Sequence, residues 1–567
     1  MIRLTEAYTK NKLSGFYIHC EPFENKRTED IKGRRWQPSR KAWRCPLTLS
    51  GLTKVIRRWP QAVMPKNLSL WYESEKAYFL EALRMHTVED AEVEGPFADK
   101  LLPHQRVAVR FMTNSRRCIL ADDMGLGKTV SFISACVETG SKKNLVVATN
   151  NNREHIKRRI QEWDPDAIPV IVSGSQKKRL EILDLCVRAT KPVYVIVNPE
   201  MIRFVTKKEH GPNVNPYLDA LLKIEWDTIT IDEAHNYCSR KSQQTIGATA
   251  LSKKCKHMFL LTGTPVSNSV TDLWPLLHIL DPHEFSSYWD FVKEHATVFV
   301  TPFGWKVDPK PTNPDKLARQ IGHRYLRREE DEVDMSLPER LPVREVWVDL
   351  VGEQKRIYDE MDQEMIAELG PYEIIAAPVA LAQMTRLKQI AISPRILSPD
   401  LELGAKIPSA MSLIKNNPDK KFVVFSQFKE ALELLMEELD KEQIRFVDAT
   451  GNVKKDERDT LVQEFQQDQG IKVCMMTYKS GGEGIELYSA SAVIRLDKWW
   501  TNTTNSQAVK RVHRKGQVNP VHTFDILARA TIDEYIEEVI EKKISIVELI
   551  VRKVRERYKE EMKGVPR

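Results

Sequence analysis

The sequence predicts an α/β protein with two tandem parallel-sheet lobes, helical insertions and a small, basic α+β module at the N-terminus. Short apolar runs rich in β-branched residues recur between helix-like stretches in two separate series. The first series reads NLVVAT, VYVIV, TITID and MFLLTG, and the second reads FVVFS, VCMMT and AVIRLD. Apolar strands that alternate with helices are typical of parallel sheets covered on both faces. Two such series therefore predict two sheet domains.

Changes in this pattern divide the chain into six segments. We expect a basic N-terminal module at 1–62, a linker at 63–97, a first lobe at 98–345 with a helical protrusion at about 270–335, a helical connector at 346–402, a second lobe at 403–530 and a C-terminal brace helix at 531–567. The last segment has apolar residues at helical spacing with charges between them, which favours a packing helix.

The composition excludes several protein classes. The chain has 567 residues, of which 42% are apolar and 29% charged, enough for three or four domains with real cores. It has no apolar run of about 18 residues and no signal-like N-terminus, so we expect neither a membrane partner nor secretion. Its eight cysteines form no C-x-x-C pair. This argues against a zinc cluster and for a reducing, intracellular environment.

The N-terminal 60 residues carry more positive charge than the rest of the chain. They contain 14 Lys and Arg against 5 Asp and Glu, a net of +9, whereas the whole chain has +7. Such a module suggests a polyanion partner; a solvated basic surface is the alternative.

The candidate DNA contacts in this module are Arg34, Arg35, Trp36 and Trp43, within a hairpin that turns at 37–41 before a helix. Tryptophan beside arginine suits exposed bases and phosphates. Alternatively, the tryptophans (including Trp59) form the module's own core, and both interpretations can hold together.

A phosphate-binding loop is predicted at ILADDMGLGKTVSFI, 119–133. Gly125 and Gly127 allow backbone N–H groups to turn toward an anion, and the helix that follows directs its positive end at the phosphates. Lys128 would reach the outer phosphates of ATP, and the Thr129 hydroxyl would ligate Mg²⁺. A strict loop motif has glycine at the position of Asp122, so two adjacent carboxylates need an explanation here.

Three further motifs complete a candidate ATPase site. TITIDEAHN ends an apolar strand in Asp232, which would hold Mg²⁺, and in Glu233, which would polarise the attacking water. LLTGTPVSN places Thr262, Gly263 and Thr264 at another strand end, where they would sense the γ-phosphate. LLPHQ places Gln105 before the first strand, where its amide would read the adenine edge.

Seven motifs follow one another between about 98 and 540: LLPHQ, ADDMGLGKT, DEAH, LTGTPVSN, VVFSQF, SGGEGIEL and QAVKRVHRKGQ. Together with YLRREEDEV and LPERLP, a connector-like stretch at 325–342, they resemble the Swi/Snf family of double-stranded DNA translocases in helicase superfamily two. The family's loop carries Ala-Asp-(Asp/Glu)-Met, so the two carboxylates fit it. Two stretches depart from the family pattern: ATNNNREHI (148–156) and DKWWTNTTN (497–505), which lacks a proline.

The resemblance implies RecA-like lobes, ATP and Mg²⁺ as ligands, and further ATP contacts from Met124, Leu126 and Gly484. It also implies that Gln507 helps to couple hydrolysis to motion. Residues 30–60 look like the module that precedes the motor in HARP-type annealing helicases and in phage-type members. We therefore expect the cytoplasm or nucleoid of a bacterial or phage-infected cell rather than a eukaryotic nucleus.

In QAVKRVHRKGQ, Arg511 and Arg514 are spaced i, i+3, which would place them on one helical face. Two such guanidinium groups would stabilise charge on the transferring phosphoryl group. The expected DNA contacts are strand-end residues that face phosphates: Thr149 and Asn150 on the first lobe, and Ser426, Thr477, Lys479, Ser480 and Gly481 on the second.

These features predict a DNA-dependent ATPase that translocates on double-stranded DNA and remodels DNA structures or protein–DNA complexes. A strand-separating helicase of the same superfamily is one alternative, and an ATP-gated DNA clamp with little turnover is another. The expected partner is double-stranded or forked DNA, bound with little sequence preference, together with a possible DNA-bound protein. We expect a monomer.

Overall fold

The computed structural model describes residues 2–10, 12–205, 215–263, 269–301, 304–333, 338, 340–370, 373–376, 380–451, 455–478, 485, 487–514 and 516–540. The described part of the chain divides into two compact units, one ending at Glu329 and the other beginning at Glu330. The first lobe was expected to extend to residue 345, so this boundary lies earlier than predicted. The reason is that a strand at 344–348 belongs to the second sheet.

The N-terminal module is a four-stranded antiparallel sheet covered on one face by helices. Its strands are β1 (Arg3–Thr9), β2 (Lys12–His19), β3 (Arg35–Gln37) and β4 (Ala42–Pro46), in the spatial order β1-β2-β4-β3, followed by helices α1 (Leu49–Arg58) and α2 (Lys66–Arg84). The predicted hairpin with its turn at 37–41 is present, and Lys41 in that turn adopts a left-handed φ of 47°. The β1–β2 hairpin was not predicted.

The range 63–97, expected to be a linker, contains the 19-residue helix α2. This helix packs through Leu68 and Ala82, both fully buried, and Arg116 forms an ion pair with its Glu75 at 2.7 Å. The sequence of α2 has a weak amphipathic pattern, so its packing against both the module and the first lobe was not apparent from the sequence.

The first lobe is built on a parallel sheet, as predicted, and this sheet has seven strands. Its strands are β5 (Arg117–Leu120), β6 (Lys143–Val147), β7 (Ile168–Ile171), β8 (Val193–Val197), β9 (Trp226–Ile231), β10 (Cys255–Leu261) and β13 (Tyr325–Leu326), in the spatial order β13-β5-β10-β9-β6-β8-β7. The helices around it are α3 (Pro103–Ser115), α4 (Lys128–Glu138), α5 (Arg153–Trp163), α6 (Gln176–Val187), α7 (Pro216–Leu222), α8 (Gln243–Ser252) and α9 (Leu273–Leu280). Two apolar cores, one on each face, bury the central strands completely.

The expected helical protrusion at 270–335 is only partly helical. After α9 it contains α10 (Tyr288–His295), an antiparallel hairpin of β11 (Ala296–Thr301) and β12 (Gly304–Pro311), and α11 (Pro314–Ile321). The chain then returns to the main sheet as β13, which pairs in parallel with β5.

The second unit contains a six-stranded parallel sheet, as predicted. Its strands are β14 (Arg344–Val348), β17 (Phe422–Ser426), β18 (Phe446–Asp448), β19 (Val473–Thr477), β20 (Ala492–Arg495) and β21 (His522–Ala528), in the order β14-β21-β20-β17-β19-β18. The helices are α12 (Gly352–Glu364), α13 (Ala380–Ile392), α14 (Lys406–Lys415), α15 (Lys429–Lys441), α16 (Lys455–Gln467) and α17 (Asn502–Val509). The expected helical connector at 346–402 also contains a hairpin of β15 (Ile366–Gly370) and β16 (Glu373–Ala376).

Of the predicted C-terminal brace helix, residues 532–540 are helical and the remainder lies outside the described residues. Ile532, Ile536 and Ile540 pack into an apolar cluster with α12 and α13. The buried Lys406 ammonium forms an ion pair with Asp533 at 2.6 Å. The described part of this helix therefore packs on the second lobe.

Candidate ATP site and DNA contacts

Three loops of the first lobe meet at one edge of its sheet. β10 lies between β5 and β9, and all three strands run in parallel, so their carboxyl ends share this edge. The phosphate loop follows β5, Asp232 and Glu233 follow β9, and Thr262 and Gly263 follow β10. The fold thus brings together motifs that lie more than a hundred residues apart in the sequence.

Glycine is required at two positions of the phosphate loop. Gly125 and Gly127 have φ values of 95° and 81°, which residues with a Cβ rarely adopt. A Cβ on Gly127 would also lie 2.2 Å from the side-chain nitrogen of Gln105. Gly127 has no side chain to cap α4, so the N–H groups of the first helical turn are suitably placed to bind an anion.

Gln105 and His104 support this loop from α3. The Gln105 amide oxygen accepts a hydrogen bond from the Leu102 backbone N–H at 3.1 Å, and its amide nitrogen donates to the Leu126 carbonyl at 3.4 Å. His104 Nε2 lies 3.0 Å from the same carbonyl. Gln105 therefore has a structural role that the sequence did not reveal, and adenine recognition by its amide stays a prediction.

Lys128 bends back onto the start of its own loop. Its Nζ donates to the carbonyl oxygens of Asp122 at 2.7 Å and Asp123 at 3.1 Å. Burial lowers the pKa of Lys128, and the nearby carboxylates, above all Glu233, oppose that shift. Phosphate oxygens would replace the two carbonyls as hydrogen-bond acceptors when a nucleotide binds.

The side chains of Asp122 and Asp123 pair with two consecutive arginines. Asp122 is 1% exposed and receives hydrogen bonds from the backbone N–H of Arg328 at 3.0 Å, its Nε at 3.1 Å and one terminal guanidinium nitrogen. Asp123 accepts from Arg327 at 3.1 Å. Because each carboxylate has a guanidinium partner, neither presents an uncompensated charge to a bound polyphosphate.

Asp232 and Glu233 lie at the end of β9, with Glu233 at a left-handed φ of 48°. Burial and the adjacent Glu233 raise the pKa of Asp232 to about 6, while a hydrogen bond from the Asn152 side-chain amide opposes the shift. Asn152, itself buried, was missed by the sequence analysis. Its signal was the run of three asparagines after β6, a stretch that departs from the family pattern.

The arrangement suits a magnesium ion bound mainly through phosphate and water. Mg²⁺ commonly uses one or two carboxylates and keeps several waters. Asp232 supplies one hydrogen-bonded carboxylate, and Thr129 stands in the first turn of α4. Within the described ranges, no three His, Cys, Asp or Glu residues form a cluster able to hold a metal by themselves.

The loop after β10 contacts both other loops. Thr262 is fully buried and its hydroxyl lies 3.2 Å from His235 Nδ1, which is 3.1 Å from the Glu233 carboxylate. A Cβ on Gly263 would stand 3.0 Å from the Met124 side chain. The expected coupling residue Thr264 and the expected ATP contact Gly484 lie outside the described residues.

The predicted single helical face for Arg511 and Arg514 is wrong. Gln507 lies on α17, but this helix ends at Val509, and the chain then forms a series of turns. Arg511 is 8% exposed, its carbonyl accepts from the Leu487 N–H at 2.8 Å, and Arg514 is half-buried.

The turns after α17 are held by Glu330. Its carboxylate lies 2.6 Å from His513 Nδ1 and 3.3 Å from Lys510 Nζ, and His513 Nε2 lies 2.7 Å from the Pro338 carbonyl. The hydrogen bond with Glu330 raises the pKa of His513, despite its burial. Both ring nitrogens face acceptors, which suits a protonated imidazole.

The expected DNA contacts have different outcomes. Thr149 and Asn150 follow β6 at the same sheet edge, half-buried and exposed, respectively, and Thr477 is half-buried at the end of β19. Ser426 is wrong as a DNA contact, because it is fully buried and its hydroxyl donates to Asp497 at 2.6 Å. The remaining members of the second-lobe set, Lys479, Ser480 and Gly481, lie outside the described residues.

In the N-terminal module, several predicted DNA contacts instead form internal contacts. Trp59 is 3% exposed, and Trp43 donates its indole N–H to Asn25 at 2.8 Å. Arg34 stacks on Trp43 at 4.1 Å. Arg35 and Trp36 are exposed, the latter at 43%. The interpretation of the tryptophans as a core therefore holds for Trp59 and partly for Trp43.

The opposite face of this sheet is open and basic. Arg35 and Arg44 are cross-strand neighbours on it, next to Tyr17, which Arg40 covers at 4.8 Å from the ring. Arg3 extends from β1 and is exposed. None of these four arginines has an ion pair with a carboxylate in the part of the chain that the structure describes. This face is therefore a concentration of unneutralised positive charge.

No helix among the described residues is both long and apolar enough to cross a bilayer.

Two family models match the chain. The SNF2-related domain matches residues 104–396, more than half of the chain, and the helicase conserved C-terminal domain matches 405–516. The putative ATP-dependent helicase/translocase YwqA of Bacillus subtilis is 27% identical, with 81% of this chain and 50% of that protein covered. The DNA annealing helicase and endonuclease ZRANB3 of Bos taurus is 25% identical, with 79% and 40% covered.

A solved SWI2/SNF2 ATPase core of Sulfolobus solfataricus in complex with dsDNA shares 22% identity, with 84% of this chain and 98% of that chain covered at a TM-score of 0.36. The chain spans half or less of the length of the curated relatives named here. The matched models cover both lobes and the motifs of the candidate site. The chain belongs to the SNF2 (Swi/Snf) family of superfamily-two ATPases.

Proposed function

We propose that the protein is a DNA-dependent ATPase that translocates on double-stranded DNA and remodels DNA structures or protein–DNA complexes. The observation that carries the proposal is the meeting of Lys128, Asp232 and Glu233 at one edge of the first sheet. Family membership and relatives described as helicases or translocases support the same activity.

In the proposed reaction, Lys128 transfers its hydrogen bonds from the loop carbonyls to the outer phosphates of ATP. Thr129 and Asp232 would hold Mg²⁺, which would offset negative charge on the β- and γ-phosphates. Glu233 orients a water in line with the γ-phosphorus and accepts its proton as the new P–O bond forms and the bond to ADP breaks. Arg511 and Arg514 stabilise the charge that develops on the transferring group.

DNA is the partner that the exposed basic groups favour. Thr149, Asn150 and Thr477 are proposed to contact phosphates at strand ends, a mode that carries little sequence information. The open face of the N-terminal sheet, with Arg3, Arg35, Arg40 and Arg44, adds positive charge for the same backbone. Its Tyr17 ring is only 7% exposed, so this face suits the phosphates of a duplex better than stacked single bases.

A strand-separating helicase remains the alternative within this family. A DNA clamp with little turnover is disfavoured, because the phosphate loop and the Asp-Glu pair at one sheet edge support hydrolysis. We also propose that the protein acts inside the cell as a monomer.

The test is phosphate release by the full chain without DNA and with single-stranded, duplex and forked DNA, beside triplex displacement and fork unwinding. We expect duplex DNA to stimulate hydrolysis and the protein to displace a triplex strand without separating the duplex. Glu233→Gln should bind ATP and DNA but release almost no phosphate. Fork unwinding without triplex displacement would favour the helicase, and a wild-type chain with no DNA-stimulated turnover would refute the proposal.

A further inference from the structure

We propose that one short stretch, Arg327–Glu330, is a positioning element for two sets of catalytic residues. Arg327 and Arg328 would fix the phosphate loop in the first unit, and Glu330 would fix the segment that carries Arg511 in the second. None of these side chains is proposed to touch the substrate. The inference rests on the proposed ATPase function and adds residues that the motifs by themselves do not assign.

The stretch begins where a strand of the first sheet ends beside the phosphate loop. β13 pairs in parallel with β5, with Leu326 opposite Leu120, and both strands continue into loops at the same edge. The backbone remains paired beyond the strands, since Ala121 N–H donates to the Leu326 carbonyl at 2.7 Å and Asp123 N–H donates to the Arg328 carbonyl at 2.9 Å. The arginines therefore lie directly alongside the two aspartates.

Arg328 joins the loop to the helix that precedes it. Besides the Asp122 carboxylate, its guanidinium donates to the His104 carbonyl on α3. The Asp122 and Asp123 carbonyls are the acceptors for Lys128 Nζ. Asp122 and Asp123 thus accept hydrogen bonds from the arginines through their carboxylates and from Lys128 through their backbone carbonyls.

Arg327 joins the phosphate loop to the loop after β10. One guanidinium nitrogen donates to the Gly263 carbonyl at 2.7 Å, and another donates to Asp123 at 3.1 Å. A planar guanidinium with several fixed donors suits such a bridge, which lysine would not reproduce. Loss of Arg327 would free two loops that must keep a fixed separation around a nucleotide.

In the second unit, Glu330 performs the corresponding task for the turns after α17. Its side chain is 16% exposed and contacts Lys510 and His513, the residues on either side of Arg511 and Val512. No regular helix fixes these turns, because α17 has already ended. The Glu330 contacts therefore act, together with the hydrogen bond from the Leu487 N–H to the Arg511 carbonyl, on the segment that carries Arg511 and Arg514.

The arginines and Glu330 are predicted to affect different kinetic constants. A loosened phosphate loop would weaken nucleotide binding, whereas displaced arginines would slow the chemical step after binding. Arg328→Gln and Arg327→Gln should raise the KM for ATP about tenfold or more, because a lost hydrogen bond to a charged group changes binding by about this factor. Glu330→Gln should lower kcat by a similar factor and leave the KM nearly unchanged.

The experiment measures ATP hydrolysis at saturating duplex DNA for these variants of the full chain, together with melting temperature. Arg319→Gln and Glu353→Gln, exposed changes of the same charge in each unit, are the matched controls. Arg328→Lys should recover part of the affinity, since it keeps the charge without the fork of donors. Asp123→Asn combined with Arg327→Gln should be no worse than the more severe single variant.

Several results would overturn the inference. One is that the variants have the same KM and kcat as the controls. Another is that each variant shows both a higher KM and a lower kcat, in proportion to the decrease in its melting temperature. Additive effects of the Asp123 and Arg327 changes would contradict the bridge. Binding of a fluorescent ADP to the Arg328 variants tests the loop even without turnover, so a wild-type chain that hydrolyses no ATP would refute the proposed function and leave this test in place.

Discussion

Asn152→Ala should weaken magnesium-dependent hydrolysis strongly, although the sequence marks this asparagine by nothing more than a run of three asparagines. The side-chain amide of Asn152 donates to the carboxylate of Asp232, and Asn152 is 7% exposed. A hydrogen bond to a charged, buried group is worth about 1.5–3 kcal/mol. This free energy corresponds to a loss of about 10–100-fold in metal affinity or activity. A loss of this size usually follows when a metal ligand loses the group that orients it.

The assay is ATP turnover at saturating ATP and duplex DNA, titrated with Mg²⁺. The half-saturating Mg²⁺ concentration should rise at least about tenfold in Asn152→Ala. Asn151→Ala is the matched control, because the adjacent asparagine is exposed. If both variants require the same Mg²⁺ concentration while their melting temperatures equal that of the wild type, Asn152 does not orient Asp232 for the metal and the reasoning fails.

Three further outcomes follow from the same contacts. Lys128→Ala should abolish turnover without unfolding the chain, and wild-type hydrolysis by a folded variant would refute the site. Arg40→Gln combined with Arg44→Gln should reduce the slope of log affinity for duplex DNA against log salt concentration by about 0.9 per lost phosphate contact. Arg57→Gln, on the covered side of the module, should leave this slope unchanged. If the slopes of both variants are equal, the open sheet face is not part of the DNA interface. His513 has a raised pKa, so its contribution to stability is complete below its unfolded pKa of about 6.5 and is lost as pH rises through the folded value. His513→Gln should therefore cost about 1–3 kcal/mol at pH 6 and less at pH 9 by denaturant titration, and a constant loss across this range would contradict a charged imidazole.

The sheets and the phosphate loop were predictable because their signals are local. A strand buried on both faces reads as an apolar run, and a tight anion-binding turn requires glycines at fixed positions. The order of the motifs then placed Lys128, Asp232 and Glu233 on one lobe. For the strands and for the loop, the sequence feature and its structural cause lie within a few residues of each other.

The errors concern contacts between distant parts of the chain. Ser426 was predicted to lie at the surface because it ends a strand, but its hydroxyl donates a hydrogen bond to Asp497, 71 residues later. Arg511 and Arg514 have helical spacing, yet the chain forms turns there, and His513 between them pairs with Glu330, more than 180 residues earlier. A single sequence gives no signal for such partners.

The two carboxylates of the phosphate loop illustrate why a charge count along the sequence misjudges a site. Asp122, Asp123, Asp232 and Glu233 place four negative charges around one lysine, which by itself would repel a polyphosphate. Arg327 and Arg328 reduce this excess through short, partly buried ion pairs, in which attraction is stronger than in water. In the proposed site the phosphates would meet Lys128, the helix N-terminus and a metal that Asp232 would hold. Arg327 and Arg328, which pair with Asp123 and Asp122, lie about 200 residues further along the chain than the loop.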